Sequence, residues 1–196
     1  MTDNQSGLLL PKSGGEPRWV EDVLRFWFHE IAPRAWFVRD AVVDTEIGLR
    51  FADLHTTLAG GSIHQVTRES RIELARVIVL DQFPRNIFRG TRAAFATDAQ
   101  ALATARAAVA AGLDQAFDGD GRLFFYLPFE HSEEAADQQH CVELISAIGI
   151  AEYTRFAQAH KVIIDRFGRF PHRNQMLGRV STPEEIAFLT RPGSSF

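Results

Sequence analysis

Cysteines, lysines and long apolar runs are all scarce in this chain of 196 residues. The one cysteine, Cys141, cannot form an internal disulfide, so the fold does not depend on an oxidising compartment. No apolar stretch approaches the roughly 18 residues that a membrane span needs, and no signal-like segment stands at the N-terminus. We therefore expect a cytoplasmic protein that makes no membrane contact.

Positive charge is also in deficit, because the formal net charge is -4. This balance argues against a general nucleic-acid binder, which usually carries a positive excess. The basic residues are 19 arginines and two lysines. Two explanations of this ratio remain open. One is a bias in codon composition, and the other is a need for planar guanidinium groups that bind carboxylates or phosphates in a bidentate manner.

Apolar residues recur with a helical period along almost the whole chain, and no segment alternates as a strand does. The pattern predicts an all-α protein of about seven helices, joined by short connections into antiparallel hairpins. The last helix has a near-complete start signal, with Thr182 as the N-cap, Pro183 in the first position and Glu185 three residues after the cap. We expect a flexible N-terminal arm over residues 1–16 and a single all-helical domain over residues 17–196.

Two segments of similar sequence each follow a helical run. They read LDQFPRN at residues 80–86 and GRFPHRN at residues 168–174. Because proline lacks an N–H group and disturbs the preceding turn, we expect each Phe-Pro pair to end its helix. Each segment then places an arginine beside an asparagine at the helix end.

Charge is segregated around these segments. Residues 85–92 and 166–179 contain arginines and no acidic residue, whereas residues 130–143 contain five acidic residues and neither lysine nor arginine. Two interpretations remain open. The arginines pair with Asp81, Glu130 or carbonyl groups and fix how the hairpins meet, or they converge on an anionic ligand.

The segment FFYLPF, residues 124–129, is the most apolar surface of the chain, and we expect Pro128 to interrupt its helix. Glu130 and His131 follow it directly. A carboxylate against apolar surface has a raised pKa, and an imidazole titrates near neutrality, which is what a general acid–base pair requires. Alternatively, Glu130 and His131 only cap the following helix and bond the loop backbone. Ser132 is another candidate cap for that helix.

Metal and cofactor signals are weak. Asp137 and His140 share a helical face, but no second helix carries the matching carboxylate–histidine pair that a dimetal bundle requires. The sequence contains no phosphate loop, dinucleotide fingerprint or nucleophile elbow. Cys141 lies among apolar residues and is predicted to be a small core side chain. We expect neither a metal nor a cofactor.

These residues, taken together, resemble the bacterial family catalogued as domain of unknown function 924. The resemblance runs from about residue 19 to residue 190 and includes the blocks LDQFPRNIFRGTRAAFATDAQAL, FFYLPFEHSEEAADQ and HKVIIDRFGRFPHRNQMLGRVSTPEEIAFL. It implies an all-helical fold of the tetratricopeptide-like class, although the chain shows no tetratricopeptide period. It implies no activity. The signature positions are Asp81, Arg85, Asn86, Glu130, His131, Glu133, Gln138, Arg169, His172, Arg173 and Asn174.

The leading hypothesis is a polar pocket that binds a small anionic molecule. Glu130 and His131 would be its acid–base pair, and Asp81, Glu133 and Gln138 would support the site. The candidate ligand-binding residues are Arg85, Asn86, Arg169, His172, Arg173 and Asn174. One alternative is a module that binds a protein or peptide on a concave face, and another is a buried polar network that only fixes the fold.

Overall fold

A computed structural model describes residues 15–61 and 67–195, and every regular element in those ranges is helical. The structure therefore confirms the all-α, single-domain prediction. Most of the predicted N-terminal arm lies outside the described residues. The α-helices are α1 (Arg18–Arg25), α2 (Ala41–Gly60), α3 (Ser70–Val77), α4 (Phe83–Ile87), α5 (Asp98–Ala110), α6 (Gly119–Glu130), α7 (Ala135–Ser146), α8 (Ala151–Phe167), α9 (Asn174–Leu177) and α10 (Pro183–Leu189).

Helices that are neighbours in sequence are also neighbours in space. Helix α5 packs on α6, α6 on α7 and α7 on α8, while α3 contacts α1, α5 and α6. Short connections between such pairs are typical of helical hairpins. The tetratricopeptide-like arrangement of these helices stays a prediction. In the described ranges, no helix is long and apolar enough to cross a membrane.

The main core is built from aromatic side chains. Trp27 contacts Phe83 and Phe124 with ring centroids 5.7 Å and 5.5 Å apart, and all three rings are buried. Tilted and edge-to-face contacts of this kind stabilise a core beyond the area that they bury. A smaller apolar cluster around Ile164 and Phe170 anchors the C-terminal segment against α8.

The first Phe-Pro pair does not end its helix, so the prediction of a break at Pro84 was wrong. A π-helical turn over Ile78–Gln82 joins α3 directly to α4, and Pro84 occupies the first turn of α4. Because proline has no N–H to donate to the carbonyl four residues earlier, the chain stays helical past Pro84 when another donor satisfies that carbonyl. The turn keeps the chain helical while it changes which side chains face the interior.

Backbone carbonyls in this π-turn are used by side chains. The Leu80 carbonyl, four residues before Pro84, accepts a hydrogen bond of 2.6 Å from the Thr97 hydroxyl. The Asp81 carbonyl accepts one from the Arg85 guanidinium. The Leu80 carbonyl thus connects the π-turn to the start of α5, and the Asp81 carbonyl fixes the position of Arg85.

The segment around Pro128 also differs from the prediction. Helix α6 continues through Pro128 to Glu130, because the surrounding side chains are buried in the core and tertiary packing stabilises the helix. Helix α7 is preceded by Glu134 as its N-cap residue rather than by Ser132. The Ser132 hydroxyl instead donates to Asp137 at 2.6 Å and accepts from the Glu134 N–H at 3.2 Å.

The start of α10 confirms its sequence signal. The Thr182 side chain accepts a hydrogen bond from the Glu185 N–H, and the Glu185 carboxylate accepts one from the Thr182 N–H. This reciprocal capping box satisfies two N–H groups at the helix start. The second Phe-Pro segment likewise begins a short helical turn, Pro171–Arg173, which leads into α9.

Candidate functional site

Helix ends that are distant in sequence bring a set of titratable side chains into contact. The π-turn after α3 contributes an aspartate, the end of α6 a glutamate and a histidine, and α8 a second histidine. Helix α4, the start of α5 and the turn before α9 add two arginines and another aspartate. We call this set the Asp81 cluster, and it consists of Asp81, Arg85, Asp98, Glu130, His131, His160 and Arg173.

His131 directs one ring nitrogen at Asp81. Its Nδ1 atom lies 2.9 Å from Asp81 Oδ1, and the Asp81 side chain is fully buried whereas His131 keeps 15% of its side-chain surface exposed. Because an ionised carboxylate only accepts hydrogen bonds, we assign the proton of the neutral imidazole to Nδ1. Within the described part of the chain, no hydrogen bond engages the other nitrogen, Nε2.

The Asp81 carboxylate is charged despite its burial. Burial raises the pKa of Asp81, but the charges on Arg85 and His131 and hydrogen bonds from His131 and Gln82 outweigh it and lower that pKa to about 2. The Gln82 amide donates to Asp81 Oδ2 at 2.5 Å, and an Arg85 nitrogen lies 3.5 Å from Oδ1. Asp81 is therefore a fixed negative charge in the interior of the protein.

Glu130 has the opposite behaviour. Burial and the nearby Asp81 charge raise the pKa of Glu130 to about 8, so this carboxyl group is protonated at neutral pH. Its Oε1 atom lies 3.1 Å from Nδ1 of His160, which also lies 2.9 Å from the Phe156 carbonyl oxygen. Burial lowers the pKa of His160 to about 3, so that imidazole is neutral.

His131 is also neutral at pH 7. Burial and the positive charge on Arg85 lower the pKa of His131, and the charge and hydrogen bond of Asp81 raise it only in part. A neutral imidazole that donates from Nδ1 carries a lone pair on Nε2 and can accept a proton. The site thus holds a potential base, His131, and a protonated acid, Glu130, within one cluster.

Asp98 bridges the two arginines of the cluster. Arg85 contacts both oxygens of the Asp98 carboxylate, at 3.0 Å and 3.2 Å, and Arg173 contacts one of them at 3.4 Å. Two parallel N–H···O contacts of this kind are the geometry in which guanidinium groups recognise carboxylates and phosphates. The two arginines therefore share the carboxylate of Asp98.

Arg173 is held rigidly. Its guanidinium carbon lies 4.6 Å from the Phe170 ring centroid and 4.9 Å from the Phe95 ring centroid, and it donates to the His131 carbonyl at 3.0 Å. Its Nε atom is buried and has no hydrogen-bond partner in the described chain. Burial and the charge on Arg85 lower the pKa of Arg173 to about 10, which still leaves it charged at neutral pH.

Asn86, the neighbour of Arg85, faces away from these groups. Its side-chain amide donates to Asp44 Oδ1 at 2.8 Å, and Arg89 contacts both oxygens of the same carboxylate at 2.7 Å. These contacts connect α4 to α2. The structure therefore separates Asn86 from Arg85, although the two are adjacent in sequence.

Arg169 and Asn174 meet at Glu185 rather than in the Asp81 cluster. Arg169 contacts both Glu185 oxygens, at 2.6 Å and 2.8 Å, and the Asn174 amide lies 3.3 Å from one of them. The Arg169 hydrogen bond is the main reason that the pKa of Glu185 falls to about 2. These residues attach the start of α10 to the second Phe-Pro segment.

The predicted supporting residues hold the backbone around the cluster. Glu133 accepts the Phe170 N–H at 2.8 Å and binds Arg179 through both oxygens. The Gln138 amide donates to the carbonyls of Glu130 and Ser132 at 2.6 Å and 2.7 Å. Gln138 therefore fixes the backbone on either side of His131, and Glu133 fixes the second Phe-Pro segment.

His172 lies at the edge of the cluster. Its ring centroid is 5.6 Å from that of Phe170, and its Nδ1 atom is buried without a hydrogen-bond partner in the described ranges. Burial and the charge on Arg173 lower the pKa of His172 to about 4. No hydrogen bond or ion pair in the described ranges connects His172 to the cluster residues.

Two members of the cluster were not among the predicted site residues. Asp98 stands at a helix start, where an aspartate commonly acts as a cap, but its carboxylate pairs with Arg85 and Arg173. His160 contacts the Phe156 carbonyl, as a core histidine commonly contacts backbone, but it also contacts Glu130. Neither pairing has a local sequence signal, since the partners come from different helices.

No metal centre is visible among these groups. Within residues 15–61 and 67–195, no set of three or more histidine, cysteine, aspartate or glutamate side chains could hold a metal ion. Cys141 is fully buried, and burial raises the pKa of its thiol well above the ordinary value. A buried thiol of this kind is a poor nucleophile.

Comparison with known proteins gives similarity without an activity. The family model described as "Bacterial protein of unknown function (DUF924)" matches residues 23–193. The chain is also similar to a solved protein of unknown function from Agrobacterium tumefaciens, with 42% sequence identity and a TM-score of 0.82. That similarity covers 87% of this chain and 96% of the other chain. No curated protein matches significantly.

Proposed function

The chain belongs to the family of bacterial proteins of unknown function (DUF924), and we propose that its Asp81 cluster is a general acid–base site for a small anionic molecule. In this proposal His131 is the base, Glu130 is the acid, and Arg85 and Arg173 bind the anionic group. The observation that carries the proposal is the 2.9 Å contact between His131 Nδ1 and the charged, fully buried Asp81.

Asp81 prepares His131 to accept a proton. By accepting the Nδ1–H, the carboxylate holds the imidazole in the tautomer whose Nε2 lone pair is free. When Nε2 takes a proton from a bound molecule, the buried carboxylate stabilises the imidazolium that forms. Arg85 balances the Asp81 charge in the resting state, so the dyad is present before the ligand arrives.

Glu130 supplies the acid. Its pKa of about 8 keeps the carboxyl group protonated at neutral pH, while the charge on Asp81 opposes its ionisation. Two carboxyl groups whose environments move their pKa values apart are a common way of providing an acid and a base at one pH. His160 holds the Glu130 carboxyl group through the contact at 3.1 Å.

The ligand contacts are fewer than the sequence predicted. We assign the anion to Arg85 and Arg173, because both already bind one carboxylate, that of Asp98. Asn86 and Arg169 bind other carboxylates, those of Asp44 and Glu185, and we assign to them a structural role around the site. Asn174 supports it in the same way. His172 stays a predicted ligand contact at the edge of the cluster.

The test is turnover of anionic substrates by matched histidine variants. Nitrophenyl phosphate and carboxylate-bearing nitrophenyl esters are suitable first probes. We expect turnover that falls by about 10²–10⁴ in His131→Gln, the usual contribution of a general base. His140→Gln is the control, because His140 is a half-exposed histidine on α7 outside the cluster. Wild-type turnover in His131→Gln, or a wild-type protein inert towards the whole panel, would contradict the proposal.

The two alternatives each keep some support. Val42 and Leu49 are 73% and 84% exposed along a shallow depression on α2, which suits a protein or peptide partner. The pairing of Asn86 and Arg169 with carboxylates suits a structural network. Neither alternative accounts for an acid that is kept protonated beside a charged aspartate, and for this reason we favour the acid–base site.

A further inference from the structure

We infer that Asp98 is a built-in competitor for the anion site: its carboxylate occupies the position between Arg85 and Arg173 that the ligand's anionic group takes, and the ligand displaces it. This inference rests on the proposed function and adds to it a regulatory contact and a ligand class. The class is a molecule with a terminal carboxylate or phosphate, since those groups present two oxygens to a guanidinium as Asp98 does.

The geometry is that of a bound ligand. Arg85 meets the two Asp98 oxygens at 3.0 Å and 3.2 Å, and Arg173 reaches one of them at 3.4 Å. The two guanidiniums come from α4 and from the turn before α9, which are far apart in sequence. A single carboxylate therefore connects the two Phe-Pro segments, as an anionic ligand would.

Asp98 is free to leave this position. The Asp98 side chain is 22% exposed, whereas that of Asp81 is fully buried. Asp98 is also the first residue of α5. In the described ranges, its carboxylate bonds only to the two arginines. A negative charge in the first turn of a helix is favourable in any side-chain orientation that stays near the helix start. Rotation into solvent thus costs Asp98 its arginine contacts and little else.

Arg173 is left with unused binding capacity. The rings of Phe95 and Phe170 pack against its guanidinium, which restricts its movement towards another partner. Its Nε atom is nevertheless buried and unpartnered, and its contact with Asp98 is the longest of the three. A buried donor without a partner is unfavourable. An anion with more oxygens than Asp98 offers would satisfy this guanidinium more fully.

A fixed pair elsewhere in the chain provides the contrast. Asp44 lies in the first turn of α2 and binds Arg89 through both oxygens at 2.7 Å, as Asp98 binds Arg85. Its side chain is 18% exposed, close to the value for Asp98. Among the arginines in the described ranges, however, Asp44 accepts hydrogen bonds from Arg89 alone, and it also accepts one from the Asn86 amide. It is therefore the matched control for the loss of one aspartate.

The experiment is a calorimetric titration with inorganic phosphate at constant ionic strength. An internal competitor reduces apparent affinity by the fraction of time in which it leaves the site open. We expect Asp98→Asn to bind phosphate about tenfold or more tightly than the wild type, which corresponds to a competitor that fills the site about nine-tenths of the time. Asp44→Asn should bind as the wild type does. Adding Arg173→Met to Asp98→Asn should abolish the gain.

Each other outcome has a defined meaning. If the wild type and Asp98→Asn bind phosphate with equal affinity, and Arg173→Met does not bind it, Asp98 is not a competitor. That result leaves the proposed anion site intact. No phosphate binding by folded Asp98→Asn overturns both. Circular dichroism checks folding, and Asp98→Ser is the second variant if the asparagine variant does not fold.

Discussion

His131 Nδ1 and Asp81 Oδ1 lie 2.9 Å apart, although the two residues are separated by 50 positions in the sequence. The contact depends on two local features. Helix α6 ends at Glu130, so that His131 is its C-cap residue, and the π-turn after α3 places Asp81 in the interior. The carboxylate and the imidazole are consequently coupled, so a change of charge at one must change the titration of the other.

Asp81→Asn tests this coupling directly, because it keeps the side-chain shape and removes the charge. Burial and the Arg85 charge lower the pKa of His131, whereas Asp81 raises it. We expect the pKa of His131 to fall further in the variant, measured by NMR titration of the imidazole Cε1–H signal. The signal of His140, an exposed histidine outside the cluster, serves as the reference. An unchanged or higher pKa of His131 would show that Asp81 does not control this imidazole.

The raised pKa of Glu130 has a consequence for stability. The group binds its proton up to about pH 8 in the folded protein, but only up to its ordinary value of 4.5 in the unfolded chain. Between these values the folded state holds more protons, so the free energy of unfolding falls as the pH rises. The loss from this group is complete above about pH 8 and is on the order of a few kcal/mol.

Glu130→Gln should remove that loss, because glutamine does not titrate. We expect the variant to gain stability relative to the wild type from about pH 5 to about pH 8, measured by urea unfolding at several pH values. Glu143→Gln, which changes an exposed carboxylate on α7, is the control and should not gain stability in this window. A variant that is less stable by about 3–5 kcal/mol at pH 7 would instead mean that a charged Glu130 balances a buried cation. That result would favour the structural network.

The fold class could be predicted because helical periodicity and the signal at Thr182 are local properties. The course of the chain at Pro84 and Pro128 could not be predicted in this way. Burial of the segment around Pro128 stabilises its helix, and a π-turn before Pro84 lets the chain remain helical. Both effects depend on tertiary packing, which outweighs the local preference of proline for a helix end.

The composition of the cluster could be predicted only in part. Arg85 and Arg173 were recognisable from the two similar Phe-Pro segments, Glu130 and His131 from the apolar run before them, and Asp81 from the family resemblance. Asp98 and His160 were not, because a side chain's partner on another helix leaves no trace in the local sequence. The same limit explains Asn86, whose partner Asp44 lies 42 positions earlier.

Gln138 tests the separation of structural from functional polar residues. Its side chain is fully buried, and its amide donates to the Glu130 and Ser132 carbonyls at 2.6 Å and 2.7 Å. Gln138→Leu keeps the approximate volume and leaves those carbonyls unsatisfied. We expect the free energy of unfolding to fall by about 1–3 kcal/mol, the cost of a buried acceptor that loses its donor. Urea titration measures it.

The neighbouring residue gives the control for this prediction. Gln139 is exposed on the same helix and donates to Glu143, so Gln139→Leu should change the free energy of unfolding by less than about 0.5 kcal/mol. Equal stabilities of the two variants would mean that the Gln138 hydrogen bonds contribute nothing to the fold. Because these bonds hold the backbone on both sides of His131, Gln138→Leu should also change the titration of that imidazole, whereas Gln139→Leu should not.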